Sequence, residues 1–247
     1  MDLSPLLAGS ALLLLMPALL QPAAVALGED DRRGLLWWAY WIDVIYCRVW
    51  HRLDSGASPL PGHGPAILIA NHTCAIDHFL LQVANRRVLG FLIAREFYEH
   101  RLYGLICRRL GCIPVNRDGR DLSATRAALR ALKAGRIVPI FPEGEILPES
   151  GDRLAEFKTG VAFLALHANV PVIPAYISGT PREHEFIRSL LTPSNARVVY
   201  GEPIDPSTLV DREGLGEKDF DKATLRAVAD RFKDAIIALK DSPQDGR

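Results

Sequence analysis

The sequence predicts an α/β fold, a mixed or parallel sheet covered by helices on both faces, preceded by an N-terminal membrane-associated helical segment. Three observations carry that expectation. From residue 66 onward, short apolar runs alternate with segments of helical periodicity. Runs such as Ala66-Ile67-Leu68-Ile69-Ala70 are apolar at every position, as a strand buried on both faces requires. The first 53 residues differ from the rest, with a charge-free run followed by all four tryptophans.

Residues 3–28 form that run of 26 positions without a charged side chain. As a helix it would extend ~39 Å, against a hydrocarbon core of ~30 Å. Pro5, Pro17 and Pro22 interrupt it, and the cleanest helical piece, residues 6–16, is too short to cross alone. Ala24-Val25-Ala26 would suit signal-peptide cleavage, but Asp2 and the lack of any preceding Lys or Arg favour an anchor or embedded hairpin. Arg32 and Arg33 follow the run, which places the bulk of the chain on the cytoplasmic side. Residues 34–53 read as an interfacial helix, with Trp37, Trp38, Tyr40, Trp41, Tyr46 and Trp50 at headgroup level and Arg48, His51 and Arg52 at the far end. The alternative packs these rings on the protein's own core. The division expected is therefore an anchor over residues 1–53 and an α/β domain over 54–247.

Residues 54–64 are rich in Pro, Gly and Ser and read as a loop. Strands are then expected at 66–70, 88–94, 112–115, 137–141, 170–177 and 197–200, and helices at 77–86, 95–110, 122–133 and 157–168. Residues 222–240 form a closing amphipathic helix, with Leu225, Val228, Phe232, Ile236 and Leu239 on one stripe.

The charges balance, 29 basic against 29 acidic, so the chain has no global attraction for nucleic acid. The four cysteines, Cys47, Cys74, Cys107 and Cys112, include no C-x-x-C pair, which argues against a zinc ribbon or a redox dithiol and fits reduced thiols in the cytosol.

Candidate chemistry collects at strand ends, where an open α/β sheet binds its ligands. Asn71-His72-Thr73-Cys74-Ala75-Ile76-Asp77 follows the first buried strand. A histidine here can take a proton from an alcohol, and Asp77 can hold its other ring nitrogen and stabilise the imidazolium. Spacing alone favours Asp77 as a helix N-cap and His72 as a loop histidine, because H-x-x-x-x-D is an unspecific pattern, and a metal site of His72, Asp77 and His78 is conceivable. Phe141-Pro142-Glu143-Gly144-Glu145 ends another strand; Gly144 permits close backbone approach, although an isolated P-E-G-E is equally a solvated loop. Arg117 ends the strand within Gly111-Cys112-Ile113-Pro114-Val115-Asn116-Arg117, where an arginine suits a phosphate or simply solvent.

These stretches, with Val170-Pro171-Val172-Ile173-Pro174, occur in one order at one spacing. The arrangement resembles the glycerolipid acyltransferase family typified by 1-acylglycerol-3-phosphate acyltransferases, whose members carry four blocks in that order. Ala94-Arg95-Glu96-Phe97 and Phe157-Lys158-Thr159-Gly160 are similar to segments between those blocks, and the likeness covers roughly residues 65–178. The resemblance implies transfer of a fatty acyl group from an acyl-thioester, acyl-CoA or acyl-carrier protein, to a lysophospholipid hydroxyl, by default that of 1-acylglycerol-3-phosphate. It implies His72 as general base and Asp77 as its orienting partner. Asn71, Thr73, Cys74, Arg95, Glu96, Arg117, Pro142, Glu143, Gly144, Glu145, Lys158 and Gly160 would line the substrate site. No metal or organic cofactor is implied.

Two departures bear on substrate. Cys74 stands where the first block usually has Ser. Glu145-Ile146 follows Gly144 where the third block commonly continues with Thr-Arg, so the arginine that the family logic assigns to the acceptor phosphate is missing. Arg117, Arg153 or Lys158 would have to compensate, and an amino-containing or neutral lysolipid competes with lysophosphatidate as acceptor. A catalytically silent lipid-binding protein and a thioester hydrolase are the other readings. Arg95, Arg101, Arg108 and Arg109 can receive a CoA phosphate or an acidic carrier protein, or belong to a solvated helix face shared with Glu96 and Glu99.

Overall fold

The computed structural model describes residues 35–242 apart from 86, 102, 117–120, 148, 152, 183–184 and 211–219. The charge-free run at 3–28 and Arg117 lie outside the described residues.

The main sheet has five strands: β1 (Asp54–Ser55), β2 (Ala66–Ala70), β5 (Ile137–Ile140), β6 (Val172–Ser178) and β7 (Arg197–Tyr200), in the order β1-β7-β6-β2-β5. β3 (Leu92–Ala94) and β4 (Ile113–Val115) form a parallel pair of their own. β2 pairs in parallel with both β5 and β6, with Ile69 opposite Ile140 and Ala70 opposite Ala175. β6 and β7 are antiparallel, so the sheet is mixed.

Side-chain alternation sorts β2 onto two cores. Ile67 and Ile69 pack with α5 (Leu122–Lys133), α6 (Gly160–Ala168) and α8 (Lys222–Ile237). Leu68 and Ala70 pack with α2 (Asp77–Val83) and with the first helical segment, α1 (Leu35–Ile45) continuing into a π-helical turn (Tyr46–Trp50). Helices therefore cover both faces, as the fully apolar strands require. Phe232 and Ile236 of α8 are wholly buried, fulfilling the amphipathic stripe.

Several expectations change. The helix expected over 95–110 is two helices, α3 (Arg95–Glu99) and α4 (Tyr103–Leu110), because His100 takes an extended conformation at ψ 138°. No Gly or Pro marks the break in sequence. Only Leu92–Ala94 of the strand expected at 88–94 pairs. Helix α6 starts at Gly160 rather than at 157. The short β1 and α7 (Phe186–Leu191) were not legible; β1 pairs only with a strand more than 140 residues away, and α7 is six residues long. The tryptophans of the first helix divide. Trp41 is buried, whereas Trp38 and Trp50 are both 43% exposed, so α1 packs one face on the core and presents another outward. Among the described residues no helix is long and apolar enough to cross a membrane.

The first helical segment is latched to the sheet by a buried histidine. His51 is fully buried, with Nδ1 2.8 Å from Ser194 Oγ and Nε2 2.7 Å from the Tyr46 hydroxyl. That hydroxyl donates its only hydrogen to the Leu190 carbonyl at 2.8 Å, so Nε2 must be the protonated nitrogen and Nδ1 the acceptor from Ser194. Burial lowers the His51 pKa. A depressed histidine contributes stability that is present above its unfolded value of ~6.5 and is lost as pH falls below it. His51→Ala leaves Ser194 and Tyr46 without that partner and is expected to cost about 2–4 kcal/mol in urea unfolding, and to remove part of the decline in stability between about pH 7 and pH 5.

Candidate active site

Because β2, β5 and β6 run parallel, their carboxyl ends meet at one sheet edge. The Asn71–Asp77, Phe141–Glu145 and Ser178–Thr180 stretches therefore converge there, although 100 residues of sequence separate the first from the last.

The loop after β2 turns directly into α2, and this local geometry places His72 against Asp77. His72 Nδ1 donates to Asp77 Oδ2 at 2.8 Å. The same carboxylate oxygen accepts from the Thr73 amide at 2.6 Å and the Cys74 amide at 3.1 Å. Asp77 Oδ1 accepts from the Thr73 hydroxyl at 2.7 Å and the Cys74 thiol at 3.5 Å. The Thr180 hydroxyl in turn donates to Thr73 Oγ1 at 2.8 Å. Burial by itself would raise the Asp77 pKa, but the His72 and Thr73 hydrogen bonds and the His72 charge outweigh it and hold the carboxyl below its ordinary range. Asp77 is thus ionised, inaccessible and turned toward the histidine. With Nδ1 bound to Asp77, Nε2 is the nitrogen left to meet a substrate hydroxyl, on a side chain that retains 12% exposure.

Aromatic rings set the plane of His72. Phe141 stacks on it at 4.1 Å between centroids and 10° between planes. His78 lies edge-on to His72 at 5.7 Å and also contacts Phe91 and Phe141. Burial, reinforced by the neighbouring His72 charge, lowers the His78 pKa to about 4, so this second histidine is neutral and acts as part of the cage. Among the described residues no three His, Cys, Asp or Glu side chains gather as metal ligands.

Five of the residues expected to line a substrate site lie beneath it instead. The Asn71 amide exchanges both its groups with the Ile177 backbone, at 2.8 and 2.7 Å, tying β2 to β6. Thr73 and Cys74 are occupied by Asp77. Burial and the Asp77 charge push the Cys74 thiol well up, which makes a thiolate acyl carrier untenable there. Pro142 is buried. Glu143, only 4% exposed, accepts from the His72 amide at 2.8 Å and the Ala155 amide at 2.7 Å. Burial raises its pKa against these hydrogen bonds. Glu143 therefore fixes the backbone of the His72 loop from 71 residues away, a role that sequence spacing gives no means of seeing.

The remaining residues are outward. Gly144 has φ +80°, a conformation that favours glycine, and the exposed end of the Lys158 side chain lies 2.5 Å from where a Cβ would stand. The Lys158 amide donates to the Pro142 carbonyl at 2.8 Å, which holds the two segments together. Glu145 is exposed beside them. Gly160 has open space around its missing Cβ, so packing does not explain a glycine at the start of α6. Arg95 Nε donates to Asn116 Oδ1 at 2.6 Å, pinning α3 to the end of β4, and its guanidinium lies 3.6 Å from Glu99. Glu96 is exposed on the same helix. Arg108 lies over Tyr98 and donates to its carbonyl. The arginines of this region are in part internal braces.

A histidine held by a buried aspartate at the edge of an α/β sheet is an arrangement able to take a proton from a hydroxyl. The sequence matches the acyltransferase family model over residues 52–178. The chain belongs to that family, and relatives named 1-acyl-sn-glycerol-3-phosphate acyltransferase resemble it over most of its length. It is 23% identical to such an enzyme from Bacillus subtilis over 71% of this chain and 83% of the relative. It is 26% identical to the Streptococcus pneumoniae enzyme of the same name over 60% of this chain and 54% of the relative. Over 45% of this chain and 29% of the relative it is 32% identical to the lysophospholipid acyltransferase LPEAT1 of Arabidopsis thaliana. The crystal structure of PlsC, the 1-acyl-sn-glycerophosphate (LPA) acyltransferase of Thermotoga maritima, has the same fold, with TM-score 0.61 and 23% identity over 84% of this chain and 82% of that one.

Proposed function

We propose that this acyltransferase is membrane-associated, with its catalytic domain on the cytoplasmic side, and that it moves a fatty acyl group from acyl-CoA or acyl-carrier protein to 1-acylglycerol-3-phosphate, giving phosphatidate. The observation that carries the chemistry is the 2.8 Å bond from His72 Nδ1 to the buried, ionised Asp77. His72 Nε2 takes the proton from the acceptor hydroxyl as its oxygen attacks the thioester carbonyl carbon. The C–S bond then breaks, and the thiolate leaves with the proton returned by the imidazolium, whose charge Asp77 stabilises. This cycle closes without a metal or organic cofactor.

The acceptor phosphate is supported by Lys158. Its ammonium stands against Gly144, where it supplies a cation to a block that lacks the usual arginine. Glu145, exposed next to it, favours the second reading, an amino-bearing lysolipid such as a lysophosphatidylethanolamine.

A panel of lysolipids offered with radiolabelled acyl-CoA decides between them. With lysophosphatidate, Lys158→Ala is expected to raise KM about tenfold, the loss of one charge-assisted contact, with little change in kcat. Product from amino-bearing acceptors alone, with Lys158→Ala without effect, would overturn the phosphatidate reading in favour of the second.

A further inference from the structure

The peptide unit between Phe157 and Lys158 is held from both sides. Its N–H, that of Lys158, donates to the Pro142 carbonyl at 2.8 Å. Its carbonyl, that of Phe157, accepts from Arg226 Nη2 at 2.5 Å. A trans peptide points its N–H and C=O in opposite directions, so a bond on each stops the plane from rotating. One bond comes from the loop after β5 and the other from α8. The Phe157 side chain, 1% exposed, anchors the same unit in the core.

That plane decides where Lys158 points. The direction of a side chain leaving Cα follows from the backbone. Among the described residues the Lys158 ammonium makes no ion pair that would hold it from the far end. Its Cδ, Cε and Nζ lie 2.9, 2.7 and 2.5 Å from where a Gly144 Cβ would stand, so the chain runs along that glycine. Residues 154–158 belong to no helix or strand. Their course therefore depends on individual bonds: from Ala155 to Glu143, from Lys158 to Pro142 and from Arg226 to Phe157.

Arg226 is turned toward this segment at some cost to itself. Nη1 donates to Glu156 Oε1, and Nη2 also lies 3.3 Å from Asp230, one turn further along α8. Nε is buried and has no partner among the described residues. A buried N–H left unpaired is unfavourable, and an arginine serving only its own helix would turn that group to water. Glu156 is 80% exposed, so its ion pair contributes little, and the bond to the Phe157 carbonyl is the contact that matters.

We propose that Arg226 is the positioning residue for Lys158: by holding the Phe157 carbonyl it orients the peptide from which Lys158 extends over Gly144, and so sets the affinity for the acceptor phosphate. The inference rests on the reading of Lys158 given above. It brings α8, which lies beyond the segment that matches the family, into the acceptor site.

The test measures saturation of the full-length protein with lysophosphatidate at fixed acyl-CoA. Arg226→Met, of similar length and without donors, is expected to raise KM about five- to tenfold with kcat within about twofold. In a Lys158→Ala background the same change should add less than about twofold, because the side chain it orients is gone. Arg226→Lys still offers the carbonyl a charged donor and should hold KM within about threefold of the parent. Glu156→Gln breaks only the exposed pair and should leave KM within about twofold. Trypsin cleavage after Lys158, followed by mass spectrometry, reads the segment without any substrate. It should be about fivefold faster or more in Arg226→Met, with cleavage elsewhere and the circular dichroism unchanged. Should Arg226→Met fail to fold, Arg226→Lys reads the same cycle at its smaller effect. Effects on KM that multiply in the double variant, or a fall in kcat with KM unchanged, would overturn the proposal and leave Arg226 a brace of the fold. If Lys158→Ala itself leaves KM unaltered, the phosphate reading of Lys158 fails, and the trypsin rate still decides whether Arg226 holds the peptide; unchanged cleavage would overturn that as well.

Discussion

His72→Ala is expected to lower acyl transfer by about 10³-fold or more while the protein stays folded. The imidazole supplies the only base aimed outward from the Asp77 cluster, and water in its place offers neither a comparable proton affinity nor a fixed position. The fold survives because Asp77 keeps four other donors, the amides of Thr73 and Cys74, the Thr73 hydroxyl and the Cys74 thiol. The space vacated lies against the face of Phe141 and beside His78, whose ring stands edge-on to it. Added imidazole is therefore expected to restore part of the rate in the variant and none in the parent. Rates of transfer, with circular dichroism as the check on folding, decide this. Transfer within tenfold of the parent in a folded variant would remove the base role from His72.

Asp77→Asn should reduce kcat by about 10²–10⁴-fold and also lower stability by about 2 kcal/mol or more. Oδ2 receives three N–H donors, so the amide oxygen must take that position, and the amide nitrogen is forced to face Thr73 and the Cys74 thiol. The histidine then keeps a hydrogen bond but loses the negative charge that stabilises its protonated form during attack. The pH dependence follows from the sign of the shift. The Asp77 carboxyl titrates lower when folded than when unfolded. Its contribution is therefore complete above the unfolded value of ~4 and disappears as pH falls through the lower folded value. The gap in melting temperature between parent and variant should be widest near neutral pH and should narrow on acidification below about pH 4. A gap that is constant over that range would show that Asp77 is not held ionised by its surroundings. A kcat reduced less than tenfold would show that His72 needs no carboxylate behind it.

Within the catalytic loop itself much was legible. His72 and Asp77 are five residues apart across a strand-to-helix turn, a geometry that local chain stiffness nearly imposes, and a helix N-terminus is where a carboxylate belongs. The departure at Glu145 was visible as a letter. Its consequence was not, because Lys158 stands over Gly144 only through the bond from its amide to Pro142. Glu143 looked like a ligand for substrate and is instead buried against two amides of its own chain. Likewise, four tryptophans in a row of helix suggest one outward belt, and only packing separates the buried Trp41 from the exposed Trp38 and Trp50.

The sequence by itself indicated most of the strands and helices, the two-sided burial of β2, His72 and Asp77 as a candidate pair and, through the resemblance of its ordered blocks, the family. Each rests on a pattern complete within a short window of chain, where periodicity and near-neighbour hydrogen bonds act. The tertiary structure alone decided the antiparallel course of β7, the break between α3 and α4, and the bonds from Asn71 to Ile177, from His72 to Glu143 and from Tyr46 to Leu190. Those features join residues up to about 145 positions apart, and nothing in either partner's local sequence specifies the other; the parallel pairing of β2, β5 and β6 brings them to one edge, and the contacts follow from that edge.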